Sequence, residues 1–253
     1  MLSLAAFVMV IPLLFSFVTA FKSPQDFASH SPFALPSPPS LTSFQAILTG
    51  RVNFGDAIIT TLLMVVVMVV GQLVSSVLAA YAFARIEFPG REVIFWLFLG
   101  TMMIPASVLV IPLYLMMARM GLNNTFWCIV LPFVFASPYA VFLLRQSFRQ
   151  IPQEIIDAAT MDGAGQIRIL FSIVVPVSKP IISTLVLITV VSQWNSFMWP
   201  RIIAATRPRV LTVATAALQS QYNANWTYVM AATTIALVPL IALFIVFQRH
   251  IVE

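Results

Sequence analysis

Side chains able to do acid-base, nucleophilic or metal chemistry are few in this sequence, and their spacing works against each reaction. The two histidines, His30 and His250, lie in distant polar segments, so a histidine-based metal cluster is not expected. The one cysteine, Cys128, sits inside an apolar run and leaves no partner for an intrachain disulfide. The only lysines, Lys22 and Lys179, follow no Gly-x-x-x-x-Gly-Lys-Ser/Thr loop, which removes that route to ATP hydrolysis by this chain. What remains is the interval from Arg145 to Pro180, the longest polar stretch, with hydrocarbon-soluble runs on both flanks. Its chemistry is recognition. Pro152 suits the first turn of a helix, Glu154 and Asp157 fall where the positive end of a helix dipole favours carboxylates, and Gly163, just after Asp162, is a natural C-terminal stop. The spacing predicts a helix over about 152–161, a turn at Gly163 and Gly165, and a second short helix from Gln166 to Ile173 that Pro176 interrupts. Ala158 and Ala159 leave the first helix a face with almost no side chain, open to close approach by another protein's surface.

The elements that must position this interval are membrane spans. With 60% hydrophobic and 8% charged residues, and a mean hydropathy of +0.99, the chain lies far from soluble proteins, in which roughly a quarter of residues are charged. Six apolar segments, roughly 1–21, 57–84, 93–117, 126–144, 181–199 and 227–247, each approach the length that crosses a bilayer. The fold class predicted is all-α, a polytopic membrane helical bundle with six transmembrane helices and one polar helix-turn-helix, forming a single domain over 1–253. No basic stretch precedes the first segment and its apolar part exceeds a signal-peptide core, so it reads as a span. Residues 22–56 carry Pro24, Pro32, Pro36, Pro38 and Pro39 and read as an extended, proline-stiffened surface loop. The net charge of +5 does not indicate nucleic acid, because the arginines stand singly between apolar runs and read as membrane-flanking charges. Lys and Arg divide almost evenly between the two sides, so charge alone does not orient the chain.

Within the second to sixth segments there is no Asp, Glu, Lys, Arg or His, which disfavours an ion-coupled carrier or a membrane-embedded enzyme. Gln72, Ser75 and Ser76 on the second span, and Gln193, Trp194, Asn195 and Trp199 on the fifth, are uncharged hydrogen-bonding and aromatic groups. They suit a hydroxylated solute such as a sugar, and equally suit bonds from one helix to another. Gly71, Ser75 and Ala79 recur at the spacing that lets membrane helices pack backbone to backbone. Arg201, Arg207 and Arg209 cluster after the fifth span, either as interfacial anchors beside Trp199 or as a contact for an acidic partner or solute.

The run Asp157-Ala158-Ala159, three residues, Gly163, nine residues, Ile173-x-Val175-Pro176 resembles the EAA loop of permease subunits of binding-protein-dependent ABC importers, departing by Asp157 for Glu and Val175 for Leu. Ala80-Tyr81-Ala82-Phe83-Ala84-Arg85, Phe88-Pro89-Gly90-Arg91, Met103-Ile104-Pro105, Gly121-Leu122-Asn123-Asn124-Thr125 and Trp194-Asn195-Ser196-Phe197 resemble its carbohydrate-uptake branch, in particular the second permease of maltose-type and glycerol-3-phosphate-type importers. The resemblance implies a bacterial inner-membrane subunit, not an enzyme, paired with a second permease on an ATPase homodimer and fed by an extracytoplasmic solute-binding protein. ATP and magnesium would be bound by the ATPase, with no cofactor in this chain. It implies a cytoplasmic EAA loop with Glu154, Asp157, Ala158, Ala159, Asp162, Gly163, Ile173 and Pro176 as the coupling residues, and both termini cytoplasmic. Gln72, Ser76, Gln193, Trp194 and Asn195 would line the pathway, and the last outer loop, with Gln219, Gln221, Tyr222, Asn223 and Trp226, would enter the binding protein's cleft. The solute is a sugar or, alternatively, a glycerophosphate-type molecule. The sequence opens directly in its first span and stops at Glu253, where members of the family usually carry a basic N-terminal segment and a cytoplasmic tail.

Overall fold

A backbone in hydrocarbon must satisfy its own hydrogen bonds, and helices do so within one segment. The computed structural model describes residues 2–50, 53–221 and 225–247, and every regular element among them is helical. In chain order these are α1 (Leu2–Ala20), α2 (Pro24–Ser29), α3 (Thr42–Thr49), α4 (Phe54–Arg85), α5 (Arg91–Gly100), α6 (Ala106–Arg119), α7 (Phe126–Val130), α8 (Pro138–Arg149), α9 (Gln153–Met161), α10 (Gln166–Ile169), α11 (Val175–Val177), α12 (Lys179–Trp194), α13 (Met198–Ile203), α14 (Leu211–Gln221) and α15 (Trp226–Phe247). The described residues fall into two compact units: 2–50, 53–62, 196–201, 205–221 and 225–246 in the first, and 63–195, 202–204 and 247 in the second.

Among the described residues, three stretches are long and apolar enough to cross a membrane: Phe54–Arg85, Lys179–Ile203, which joins α12 to α13, and Trp226–Ile245. The segments expected as single spans over 93–117 and 126–144 are instead bent pairs. Arg91–Met103 meets Ala106–Arg119 at 100°, and Phe126–Phe133 meets Pro138–Arg149 at 41°. Both breaks have one cause. Ile104 precedes Pro105 and Ser137 precedes Pro138, and a residue before proline is pushed out of the helical region. Their backbones are extended accordingly, at φ −83°, ψ 117° and φ −86°, ψ 130°.

In the first unit, 22–50 is not the extended loop its prolines suggest. Ser23 caps α2 by accepting from the Asp26 N–H at 3.1 Å, with Pro24 in the first turn, and α3 follows. Lys22, read from sequence as a flanking charge, is fully buried and bonded within the fold. Farther along, the buried Thr61 hydroxyl accepts from the Leu211 N–H at 2.8 Å, fixing the start of α14.

The second unit is built on the C-terminal part of α4. A Cβ at Gly71 would lie 2.5 Å from the Val134 carbonyl oxygen, so only glycine allows this approach of α4 to the break before α8. One turn of α4 also satisfies the backbone opened by that break: the Gln72 amide donates to the Phe133 carbonyl, and the Ser76 hydroxyl accepts from the Ser137 N–H at 3.2 Å. Below it, Val77, Ala80 and Tyr81 of α4, Phe95 of α5, Val141, Leu144 and Phe148 of α8 and Ile169, Leu170 and Val174 form one core.

Candidate functional site

The polar interval folds as two short limbs around a glycine turn. Pro152 is extended (φ −55°, ψ 137°) and caps α9 rather than lying inside it, and Glu154 occupies the first turn. The helix stops where expected, and the geometry gives the reason. Gly163 has φ +79°, its N–H donates to the Thr160 carbonyl at 3.0 Å, and the Ala164 N–H donates to the Ala159 carbonyl at 3.0 Å. That pair of bonds is a Schellman motif, which closes the helix's last carbonyls and requires a left-handed residue at Gly163.

The second limb differs from expectation. Pro176 does not interrupt it. After α10 the chain widens into a π-helical turn over Leu170–Val174, and α11 carries Pro176 in its first turn. A proline lacks the N–H that an α-helix would use and crowds the carbonyl four residues earlier, and the wider π register relieves both demands. Ile173 is half-buried in this turn, and Pro176 is exposed.

Burial divides the limbs into two faces. Ile151, Ile156, Ile169, Leu170 and Val174 are buried in the core, and Ala159 and Ala164 pack against it. Glu154, Asp157, Ala158 and Asp162 point outward with Ile155, Met161 and Ile167, which are 45%, 84% and 71% exposed. The outer surface is therefore apolar around Ala158, with three carboxylates at its margin.

Arg85 holds this surface in place and Arg145 ties together the helices that carry it; from sequence both read as flanking charges. Arg85, at the end of α4, donates through Nη2 to the Phe148 and Ile151 carbonyls, closing the end of α8 and the turn into α9. Its Nη1 donates to Gln153 Oε1 at 2.7 Å, and Gln153 Nε2 donates in turn to Asp157 Oδ1 at 2.9 Å. The motif's acidic residue is thus tied to α4 through one intermediary. On the other limb the Tyr81 hydroxyl donates to Gln166 Oε1 at 2.7 Å. Arg145 is buried in α8; its guanidinium lies 3.8 Å from the Phe95 ring centroid, its Nε donates to the Phe83 carbonyl at 3.1 Å, and its Nη2 pairs with Glu92 of α5. No spacing rule marks Arg85 or Arg145. Their one signal is position, each within a turn of the end of an apolar helix.

The remaining predicted positions are not gathered around this loop. Gln72 and Ser76 bond the backbone at the 133–137 break, the helix-to-helix use. Gln193 is half-buried, Trp194 is buried, and the Asn195 side chain donates to the Val191 carbonyl at 2.8 Å. Gln219 and Gln221 lie on the last turn of α14 and not in a loop, and Trp226, half-exposed, opens α15. Tyr222 and Asn223 lie outside the described residues.

Membrane-length helices carrying a polar helical loop, its first limb turned outward, define an all-helical membrane protein. Residues 73–253 match the family described as binding-protein-dependent transport system inner membrane component, and the chain belongs to that family. It is 31% identical to the arabinooligosaccharides transport system permease protein AraQ of Halalkalibacterium halodurans over 98% of this chain and 89% of that protein. It is 30% identical to the diacetylchitobiose uptake system permease protein NgcG of Streptomyces coelicolor, over 99% and 84%. The sn-glycerol-3-phosphate transport system permease protein UgpE of Yersinia pestis bv. Antiqua is also 30% identical, over 100% and 92%. The fold matches a chain in the crystal structure of a bacterial ABC transporter involved in the import of the acidic polysaccharide alginate, with a TM-score of 0.85, 24% identity and coverage of 98% and 92%. The family expected from the EAA spacing is the family found: a multi-pass inner-membrane importer permease, a transport subunit and not an enzyme.

Proposed function

We propose that this chain forms half of the translocation pathway of an ATP-driven importer for a sugar or sugar-like solute, and that α9 docks in a groove of a separate ATPase. The observation that carries the reading is the outward face of α9, apolar around Ala158 and held by Arg85 and Tyr81 of α4 at both ends of the loop. In this arrangement the single transmembrane domain, 1–253, crosses the membrane six times, with both termini and the 145–180 loop cytoplasmic. A second permease completes the pathway, an ATPase homodimer binds ATP and magnesium, and an extracytoplasmic binding protein delivers the solute. Gln193, Trp194 and Asn195 supply uncharged and aromatic groups to the pathway, joined by Gln72 and Ser76 if the break at 133–137 opens. Gln219, Gln221, Tyr222, Asn223 and Trp226 face the binding protein.

The orientation has a direct test. In intact cells, cysteines introduced by Ser37→Cys and Asn223→Cys are expected to react with a membrane-impermeant thiol reagent, and one introduced by Gln166→Cys is expected to react only after the membrane is opened. Labelling at 166 from outside would remove the docking role, because the ATPase could not reach α9.

A glycerophosphate-type solute is the second reading, favoured by the arginines following α12: Arg201 and Arg207 are exposed, and Arg209 is half-buried. Solutes are best separated on the cognate binding protein, since a ligand at a hundred times its Kd stabilises the folded state by about 2.7 kcal/mol. A thermal shift with neutral oligosaccharides and none with glycerophosphodiesters is expected; the reverse would assign the arginines to the solute.

A further inference from the structure

We infer that Ser31–Leu35, between α2 and α3, is a lipid-inserted anchor seated in the acyl-headgroup boundary beside α1, with Lys22 as the residue that sets it there. The inference rests on α1 being a membrane span. After Ala20 the chain turns, and the buried Lys22 ammonium donates to the Ser31 carbonyl at 3.2 Å and the Pro32 carbonyl at 2.9 Å. Farther on, the Ser40 N–H donates to the Phe21 carbonyl at 2.8 Å, so both ends of the excursion are tied to the end of α1. The tip folds back along that helix. Phe33 packs on Phe15 with ring centroids 5.4 Å apart, and Pro32, Phe33 and Leu35 share a shallow groove of about 170 Å³ with Ile11, Leu14 and Val18. Phe15 is five residues before Ala20, which puts the tip about 7 to 8 Å inside the end of the helix. Interfacial elements bury their apolar faces to about 5–10 Å, the same depth.

Two features fit lipid and not water. Phe33 and Leu35 are 78% and 76% exposed, and they continue the exposed face of Ile11 and Leu14 without a charge between Ser31 and Pro36. Part of the tip's backbone is also satisfied within the fold, as an apolar surrounding favours. Pro32 has no N–H, the Ser31 carbonyl accepts from both Lys22 and the Ala34 N–H, and the Pro32 carbonyl accepts from Lys22. A water-exposed loop needs no buried ammonium to satisfy its carbonyls. The polar groups of this region, Asp26 and His30, paired at 3.0 Å, sit on α2 and its cap and not on the tip.

The test is spin-label accessibility in the assembled complex in lipid vesicles, with other accessible cysteines replaced; Cys128 is buried and stays. Labels at Phe33→Cys and Leu35→Cys are compared with Leu14→Cys on α1 and Ala28→Cys on α2. Oxygen, which concentrates in lipid, is expected to relax the labels at 33 and 35 as it does at 14, and a water-soluble nickel chelate is expected to act severalfold more at 28. Adding Lys22→Met should raise nickel access at 33 towards the value at 28. Nickel access at 33 with lipid exposure at 14 overturns the anchor and leaves the span reading intact. Low access to both reagents at 33 means that a protein covers the tip, which also overturns it. Nickel access at 14 overturns the span and the anchor together, and no effect of Lys22→Met removes the lysine's role.

Discussion

Replacing Glu92 with leucine is expected to destabilise this subunit more than removing Arg145, its partner, although the two share one ion pair. The asymmetry comes from burial. The Arg145 side chain is 4% exposed and that of Glu92 49%. In Glu92→Leu the guanidinium stays where it is, over Phe95 and bonded to the Phe83 carbonyl, with its anionic partner gone. Leaving a buried ion unpaired costs about 3–5 kcal/mol. In Arg145→Met the stem is retained and the carboxylate left behind is half in solvent, with Arg91 Nε 3.5 Å away. That change forfeits the stacking and the hydrogen bond to Phe83, roughly 2–5 kcal/mol, but recovers the desolvation cost of a buried charge, several kcal/mol, which offsets much of it. The double replacement removes both charges and should recover much of the Glu92→Leu loss, since apolar groups often replace a buried pair at little cost. The expected order of unfolding temperatures in detergent is Glu92→Leu lowest, then Arg145→Met, with the double variant well above Glu92→Leu. A double variant no more stable than Glu92→Leu would show that the carboxylate's value lies outside the pair.

Arg85 and Arg145 also mark where reading the sequence stops. Local rules were enough for α9: the proline, the early carboxylate and the glycine stop are properties of neighbouring residues, and the Schellman bonds at Gly163 confirm the stop. They were not enough for Pro176, because whether a proline ends a helix depends on the register around it, and the π turn at Leu170–Val174 is set by what its buried face packs against. Pro105 and Pro138 misled in the other direction. Hydropathy over a window sees an unbroken apolar run, while the residue before each proline leaves the helix and splits the expected span. A charge at the end of an apolar run looks the same in sequence whether it turns to water or inward. Lys22, Arg85 and Arg145 turn inward, and only the carbonyls they reach, at Ser31, Phe148 and Phe83 among others, reveal it. For Gln72 and Ser76 the choice between solute and helix was open, and the backbone freed at 133–137 gives them helix partners.

The docking proposal for α9 makes its sharpest demand at Ala158, where a leucine is expected to leave this subunit folded while the ATPase is lost. Ala158 is exposed and Leu is nearly as good a helix former as Ala, so the free chain has little to lose. Ala159 could not serve, since it packs against the core and its enlargement would disturb the fold. If a groove closes over Ala158, the added side chain overpacks that contact by about 1–3 kcal/mol, roughly a five- to hundredfold loss of affinity. Gly163→Val acts on the same element by another route. Nothing lies within 4 Å of a Cβ there, so the change is not steric; the φ of +79° strains a β-branched residue and unwinds the turn that sets the direction of α9. Both variants are expected to insert in the membrane normally, to lose the co-purifying ATPase or to lose binding-protein-stimulated ATP hydrolysis, and Ala158→Leu is expected to keep the wild-type unfolding temperature. An α9 that instead lay on the lipid surface would tolerate or even favour leucine at 158, because its apolar area there would grow. Wild-type ATPase retention and stimulation in Ala158→Leu would therefore place α9 on the membrane and remove the ATPase from this face.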